Sequence, residues 1–139
     1  MREVGETTLP DLPRVAVASM NATHAEELAI IERLLAALTE DDAAAAQAAA
    51  EDFARHVEEH FSREERLMER HGFPPYPIHK GEHDRVRAVV AQACAGLDTA
   101  EGRERLKAFI ERDFLPWLVN HVSTLDTATA HFLAMQGVE

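Results

Sequence analysis

Apolar side chains recur along this chain at alternating steps of three and four residues, the spacing of helices that bury one face. Four such stretches can be read. The first runs from about Thr23 to Leu38; Asn21 or Thr23 can cap it, and Thr23 with Glu26 has capping-box spacing. The second runs from about Asp42 to His71, where Gly72 supplies a stop. The third runs from about Ile78 to Leu97, and the fourth from about Ala100 into the 130s. Phe73-Pro74-Pro75-Tyr76-Pro77 reads as a non-helical connection, and Pro116 should kink or divide the fourth helix. Residues 1–17, with Pro10 and Pro13, read as an extended arm, leaving 18–136 for the helices. Short connections make neighbouring helices antiparallel. The expected fold is therefore all-α, an up-down-up-down antiparallel four-helix bundle with an extended N-terminal arm.

Polar groups interrupt every inward stripe. The first helix presents His24, Leu28, Ile31, Leu35 and Leu38; the second presents Phe53, Val57, His60, Glu64, Leu67 and His71. The third presents His79, His83, Val86, Val90, Cys94 and Leu97. The fourth presents Ile110, Phe114, Trp117, His121, Leu125, Ala128 and Phe132. A buried, unpaired carboxylate is costly or is neutralised by a shift in its pKa. One core histidine alone is more often hydrogen-bonded than metal-bound. Here all four helices carry the anomaly, and short loops bring the levels into line. A ligand shared by all of them is the economical account.

The spacings agree with that account. His60 and Glu64 are four apart and share a helical face, as do His79 and His83. His24 comes from the first helix and His121 from the fourth, with Asp126 five residues beyond. Imidazole suits zinc, copper and iron, whereas carboxylate suits harder cations. Five histidines and two carboxylates are too many for one tetrahedral zinc. They suit two octahedral-preferring ions bridged by the carboxylates, with iron first and manganese as the alternative. One spacing resists a regular helix. Five residues turn it by about 140°, so His121 and Asp126 should not share a face. Either they flank the central line from two sides, or the helix is overwound or bulged near Ser123 to Leu125.

Composition narrows the setting. Within 139 residues, alanine, leucine, glutamate and arginine dominate, and glycine and proline are sparse. The length fits one domain with a core of its own. A net charge of −11 argues against nucleic acid and anionic membrane as partners, since both require basic patches. No apolar run approaches the ~20 residues of a membrane span. The N-terminus lacks the basic segment and long apolar stretch of a signal peptide. Cys94 has no partner in the chain, which fits a reducing, cytoplasmic setting and excludes Cys-rich zinc or iron–sulfur frameworks. A monomer or weak oligomer is expected.

Taken together, His24, His60-Phe61-Ser62-Arg63-Glu64, His79-Lys80-Gly81-Glu82-His83 and His121-Val122-Ser123-Thr124-Leu125-Asp126 closely resemble the hemerythrin family. That family has a histidine on the first helix, then H-x-x-x-E, H-x-x-x-H and H-x-x-x-x-D. Neighbouring words match as well: Glu65 and Met68 follow the first pair, Tyr76-Pro77 precedes the second, and Trp117 lies four before His121. The likeness spans about residues 15–135. It departs at Asn21, where many bacterial members carry aspartate, at an arm without tryptophan, and at Pro116. By position, the resemblance implies a non-haem di-iron centre. His79, His83 and His121 would hold one iron, and His24 and His60 the other. Glu64, Asp126 and an oxo or hydroxo group would bridge them. Dioxygen would bind at the open iron and be stored as a hydroperoxide, for storage, delivery, transport or sensing, with no catalytic residue. The alternatives are a di-iron enzyme handling peroxide or nitric oxide, or an iron-sensing or repair bundle.

The remaining candidates read as structural. His56, four before His60, is the main rival ligand and is read in preference as a boundary histidine supporting the centre, and His71 as a cation at a helix C-terminus. His131 is expected to be exposed and Cys94 to be core. Glu58, Glu59 and Glu65 are read as a solvated face. Leu28, Phe61, Met68 and Trp117 are read as core packing that could also line a pocket.

Overall fold

A computed structural model describes residues 9–40 and 42–139, so the first eight residues of the expected arm lie outside the described residues. Helix α1 spans Ala18–Thr39, α2 Ala43–His71 and α3 Tyr76–Ala93. The fourth rod is built in five pieces: α4 (Ala100–Phe109), a π-turn (Ile110–Phe114), α5 (Leu115–His121), a second π-turn (Val122–Asp126) and α6 (Thr127–Met135). The four rods pack antiparallel, α1 on α2, α2 on α3, and the fourth rod against all three. The described residues contain no strand. No helix among them is long and apolar enough to cross a membrane.

Local chemistry fixes the ends of α2. The Asp42 side chain accepts the Ala45 N–H at 3.0 Å, and Gly72 at φ 66° closes the helix. The fourth rod opens on Thr99, whose hydroxyl accepts the Gly102 N–H at 3.0 Å. Other boundaries differ from the sequence pattern. Helix α1 begins at Ala18 with no side-chain cap, so neither Asn21 nor Thr23 caps it. Asn21 clamps the arm instead. Its Oδ1 accepts the Val15 N–H at 2.8 Å, and its Nδ2 donates to the Val15 carbonyl at 2.9 Å. Thr23 donates to the Ser19 carbonyl one turn back. At α3, Tyr76 and Pro77 belong to the first helical turn rather than to the connection. Proline is tolerated there because first-turn N–H groups have no intrahelical partner. The same helix stops at Ala93, short of Leu97, and Gly96 takes φ 74° in the turn that follows.

The apolar core is continuous. It joins Ile31, Leu34 and Leu38 of α1, Phe53 and Val57 of α2, and Val86 and Val90 of α3 to Leu106, Ile110 and Phe114 of the fourth rod. Phe53 and Phe114 meet edge to face with ring centroids 5.0 Å apart. Val15 and Val17 carry the arm into the same cluster.

Each irregularity of the fourth rod has a local cause. The Leu115 N–H bonds the Ile110 carbonyl, five residues back, which puts a wide turn immediately ahead of Pro116. Proline has no N–H and crowds the carbonyl four residues before it, so it is accommodated where the ladder is already open. In the second wide turn the Thr127 N–H is shared between the Thr124 and Val122 carbonyls, and the Thr127 hydroxyl donates to the Val122 carbonyl at 2.7 Å. The hydroxyls of Ser123 and Thr124 donate to the carbonyls of Val119 and Asn120, competing with the helical ladder. The rod thus departs from α geometry across Ser123 to Leu125. The extra residue also changes the phase of burial. Beyond His121 the buried positions include Asp126, Thr129 and Leu133, each one later than the expected Leu125, Ala128 and Phe132.

Two glycines separate strain from crowding. Gly72→Ala is expected to cost about 1–2 kcal/mol through its left-handed φ alone, since an added Cβ meets nothing within 4 Å. Gly102→Ala is expected to cost more, because its Cβ would overlap the Gly96 carbonyl. Denaturant midpoints of the two variants measure the difference.

Candidate metal centre

All seven residues singled out from the sequence are at most 2% exposed: His24, His60, Glu64, His79, His83, His121 and Asp126. Their donor atoms converge in two groups, each within 4.8 Å. Glu64, His79, His83, His121 and Asp126 form one; His24, His60, Glu64 and Asp126 form the other. Single helical turns bring His60 to Glu64 and His79 to His83. The second π-turn does the same for His121 and Asp126, since i→i+5 bonding closes a turn in five residues.

Each carboxylate divides its oxygens between the groups. Glu64 Oε2 lies 2.8 Å from His60 Nε2 and 3.8 Å from His24 Nε2, while Oε1 lies 3.4 Å from His83 Nε2 and 3.6 Å from His79 Nε2. Asp126 Oδ2 lies 3.1 Å from His24 Nε2, while Oδ1 lies 3.1 Å from His79 Nε2 and 3.2 Å from His121 Nε2. His79 and His121 face each other, Nε2 to Nε2, at 3.1 Å. Glu64 Oε1, His83 Nε2 and Asp126 Oδ1 are buried without a hydrogen bond. Buried polar atoms are normally satisfied. Lone pairs aimed at a common point and left unsatisfied are the arrangement that a cation completes.

The outward nitrogens are held separately. His60 Nδ1 pairs with Glu27 Oε1 at 3.0 Å, His79 Nδ1 with Thr129 Oγ1 at 2.8 Å, and His83 Nδ1 with Glu65 Oε2 at 2.8 Å. A proton kept on Nδ1 leaves the Nε2 lone pair pointing inward. Aromatic rings brace two more histidines. Phe61 stacks on His83 at 4.0 Å, and Trp117 on His121 at 4.4 Å. Trp117 Nε1 in turn donates to Glu82 at 2.9 Å.

Sequence reasoning missed Glu27. It is fully buried and also pairs with His56 Nδ1 at 3.1 Å. A three-four alternation through His24, Glu27, Ile31, Leu34 and Leu38 was available, but Glu27 beside Glu26 reads as surface. Glu65 is a correction: it belongs to no solvated face, because it holds both His83 and Arg87, the latter at 2.7 Å. Glu58 remains exposed but also pairs with Arg87. His56 is a boundary residue as expected, and His131 is exposed. Cys94 is half-buried at the end of α3, packed against the core cluster.

With protons alone at the centre, histidine balances the carboxylates. Burial pulls the His24 pKa down, but Asp126 and Glu64 outweigh it and raise it to about 9. His60 is also raised well above the ordinary range, its burial outweighed by Glu64 and Glu27. Burial pushes the Glu27 carboxyl up, yet His60 and His56 bring it down to about 2. Burial likewise opposes ionisation of Glu64 and Asp126, and the surrounding histidines hold both below the ordinary carboxylate range. Because His24 binds its proton more tightly folded than unfolded, its contribution to stability is full below about pH 6.5 and is lost as pH rises through about 9. Metal-free protein is therefore expected to melt at progressively lower temperature across that window. Circular-dichroism melts in chelator would show it, and a melting temperature that climbs there contradicts the assignment.

Sequence relationships bear on the same residues. The family model for the Hemerythrin HHE cation binding domain matches residues 15–128. A bacteriohemerythrin of Aquifex aeolicus (strain VF5) is 32% identical over 114 residues, which cover 82% of this chain and 87% of that protein. A bacteriohemerythrin of Ralstonia nicotianae (strain ATCC BAA-1114 / GMI1000) is 32% identical over 123 residues, covering 86% and 83%. The matched domain takes in all of the buried donors from His24 to Asp126, and the chain belongs to the hemerythrin family.

Proposed function

We propose that this protein binds dioxygen reversibly at a di-iron centre held by His24, His60, Glu64, His79, His83, His121 and Asp126. The observation that carries the proposal is the asymmetry of the two donor groups, which share both carboxylates but contain three imidazoles and two. His79, His83 and His121 would hold one ion and His24 and His60 the other, with Glu64 and Asp126 available to both. The ion beside His24 and His60 would keep one open position. Bound there, a ferrous pair would supply the redox chemistry for holding dioxygen.

The chain's own residues orient and enclose. Glu27, Thr129 and Glu65 fix the rings of His60, His79 and His83, while Phe61 and Trp117 cover His83 and His121. Such enclosure keeps water from an electron-rich centre. The proposed role is storage, delivery or sensing in a reducing cytoplasm, rather than catalysis. The names of the bacterial relatives support the same reading.

The test is optical. Protein loaded with two irons per chain, reduced without oxygen and then aerated, is expected to gain a visible charge-transfer band that disappears on deoxygenation. Two irons per chain with no oxygen-dependent band overturns the reading. Rapid turnover of peroxide or nitric oxide by the same sample favours the enzyme alternative.

Variants test the ligand set by metal analysis. Glu64→Ala and Asp126→Ala are expected to lose metal, and exposed His131→Ala to keep it. Glu27→Ala should weaken iron binding about 10–100-fold, since His60 loses the acceptor that orients it.

A further inference from the structure

A cavity of about 660 Å³ opens between α3 and the fourth rod, beside the centre and separate from it. Its floor is apolar: Val86 and Val89 from α3, and Phe109, Phe114 and Trp117 from the opposite wall. Its rim is cationic. Arg85, Arg105 and Arg112 line it against the single carboxylate of Asp113. Arg85 is engaged by Glu82, whereas Arg105 and Arg112 have no ion-pair partner among the described residues. Two unpaired guanidinium groups over an aromatic floor are conspicuous in a chain of net charge −11.

We propose that this groove binds a planar aromatic molecule carrying a phosphate, of the flavin mononucleotide kind, which serves as electron donor to the di-iron centre. The volume is that of a small-molecule site rather than a protein footprint. Phe109 and Trp117, both partly exposed, offer ring surface to a flat molecule, with buried Phe114 packed between them as support. Arginine is the side chain best matched to phosphate, which it can bind through two parallel N–H bonds. The position gives the site its use. Trp117 lines the groove and stacks on His121, so one ring separates a bound molecule from the centre. Its hydrogen bond to Glu82 fixes that ring in place. The electron-donor role rests on the di-iron reading: the reduced ring gives one electron to each of two ferric ions and its two protons to water, ending oxidised beside two ferrous ions. The binding site itself rests on the groove alone.

Trp117 is the single tryptophan, so its emission reports occupancy directly. Metal-free protein titrated with flavin mononucleotide is expected to show saturable quenching, with a Kd on the order of 10 μM. Reversing both free charges, Arg105→Glu with Arg112→Glu, should weaken binding about tenfold or more. The exposed pair Arg33→Glu with Arg70→Glu, changed as a control for net charge, should leave it intact. Riboflavin, which has the ring without the phosphate, should also bind about tenfold more weakly. No saturable quenching, no loss in the groove variant, equal loss in the control, or displacement by an equal concentration of dodecanoate would each overturn the site. In a second arm, anaerobic reduced flavin mononucleotide is added to iron-loaded ferric protein, and bleaching of the ferric absorption is timed. The groove variant should react about tenfold more slowly; equal rates overturn the donor role and leave the binding site standing. Failure of the protein to hold two irons would sink the di-iron reading and the donor role with it, without affecting the metal-free titration.

Discussion

Two buried carboxylates, Glu64 and Asp126, govern this bundle. Removing either charge from water is costly unless neighbours compensate it. Five imidazoles do so, and they come from every rod: His24 from α1, His60 from α2, His79 and His83 from α3, and His121 from the fourth. No rod can slide without leaving a buried charge short of its partner. The centre therefore sets the register of the packing as much as the packing sets the centre. The Asn21 clamp on Val15 serves the same end, because it ties the arm to the first turns of α1, just before His24.

Around this inner set runs a second ring of contacts that reaches the surface. Glu65 joins His83 to Arg87, and Arg87 also pairs with Glu58 and lies 5.5 Å over the Phe61 ring. Phe61 in turn stacks on His83. Thus α2 and α3 are bound by one network that begins in solvent and ends at a buried imidazole. Glu27 plays the corresponding part between α1 and α2, where it is shared by His56 and His60.

The sequence made the rods and the seven central residues legible because both are periodic signals. Apolar positions at helical spacing mark the buried faces, and a histidine or carboxylate within such a face stands out. What periodicity cannot carry is a change of period. Extrapolating regular turns past His121 lands on Leu125, Ala128 and Phe132, whereas the wide turn buries Asp126, Thr129 and Leu133. The mismatch between His121 and Asp126 announced that such a departure was needed, though not how burial would shift after it. Glu27 and Glu65 escaped for a different reason. Each sits next to another glutamate; Glu27 also fits an alternative three-four stripe of α1, whereas Glu65 is set apart from a surface charge only by its partners on α3. Helix ends failed where a polar side chain served something other than a cap, as with Asn21, which holds the backbone of Val15.

The second π-turn also has a consequence for how this chain can be recombined with its relatives. It behaves like a one-letter insertion in a text read by fixed steps. On the two sides of Val122–Asp126, α5 and α6 keep two different frames, each with its own buried face. A segment exchanged within either frame carries its own inward face along. An exchange that alters the count between His121 and Asp126 rotates everything beyond it, including Thr129 beneath His79, however similar the swapped residues look. The length of that short interval is therefore a stricter constraint than the identity of Ser123, Thr124 or Leu125 within it.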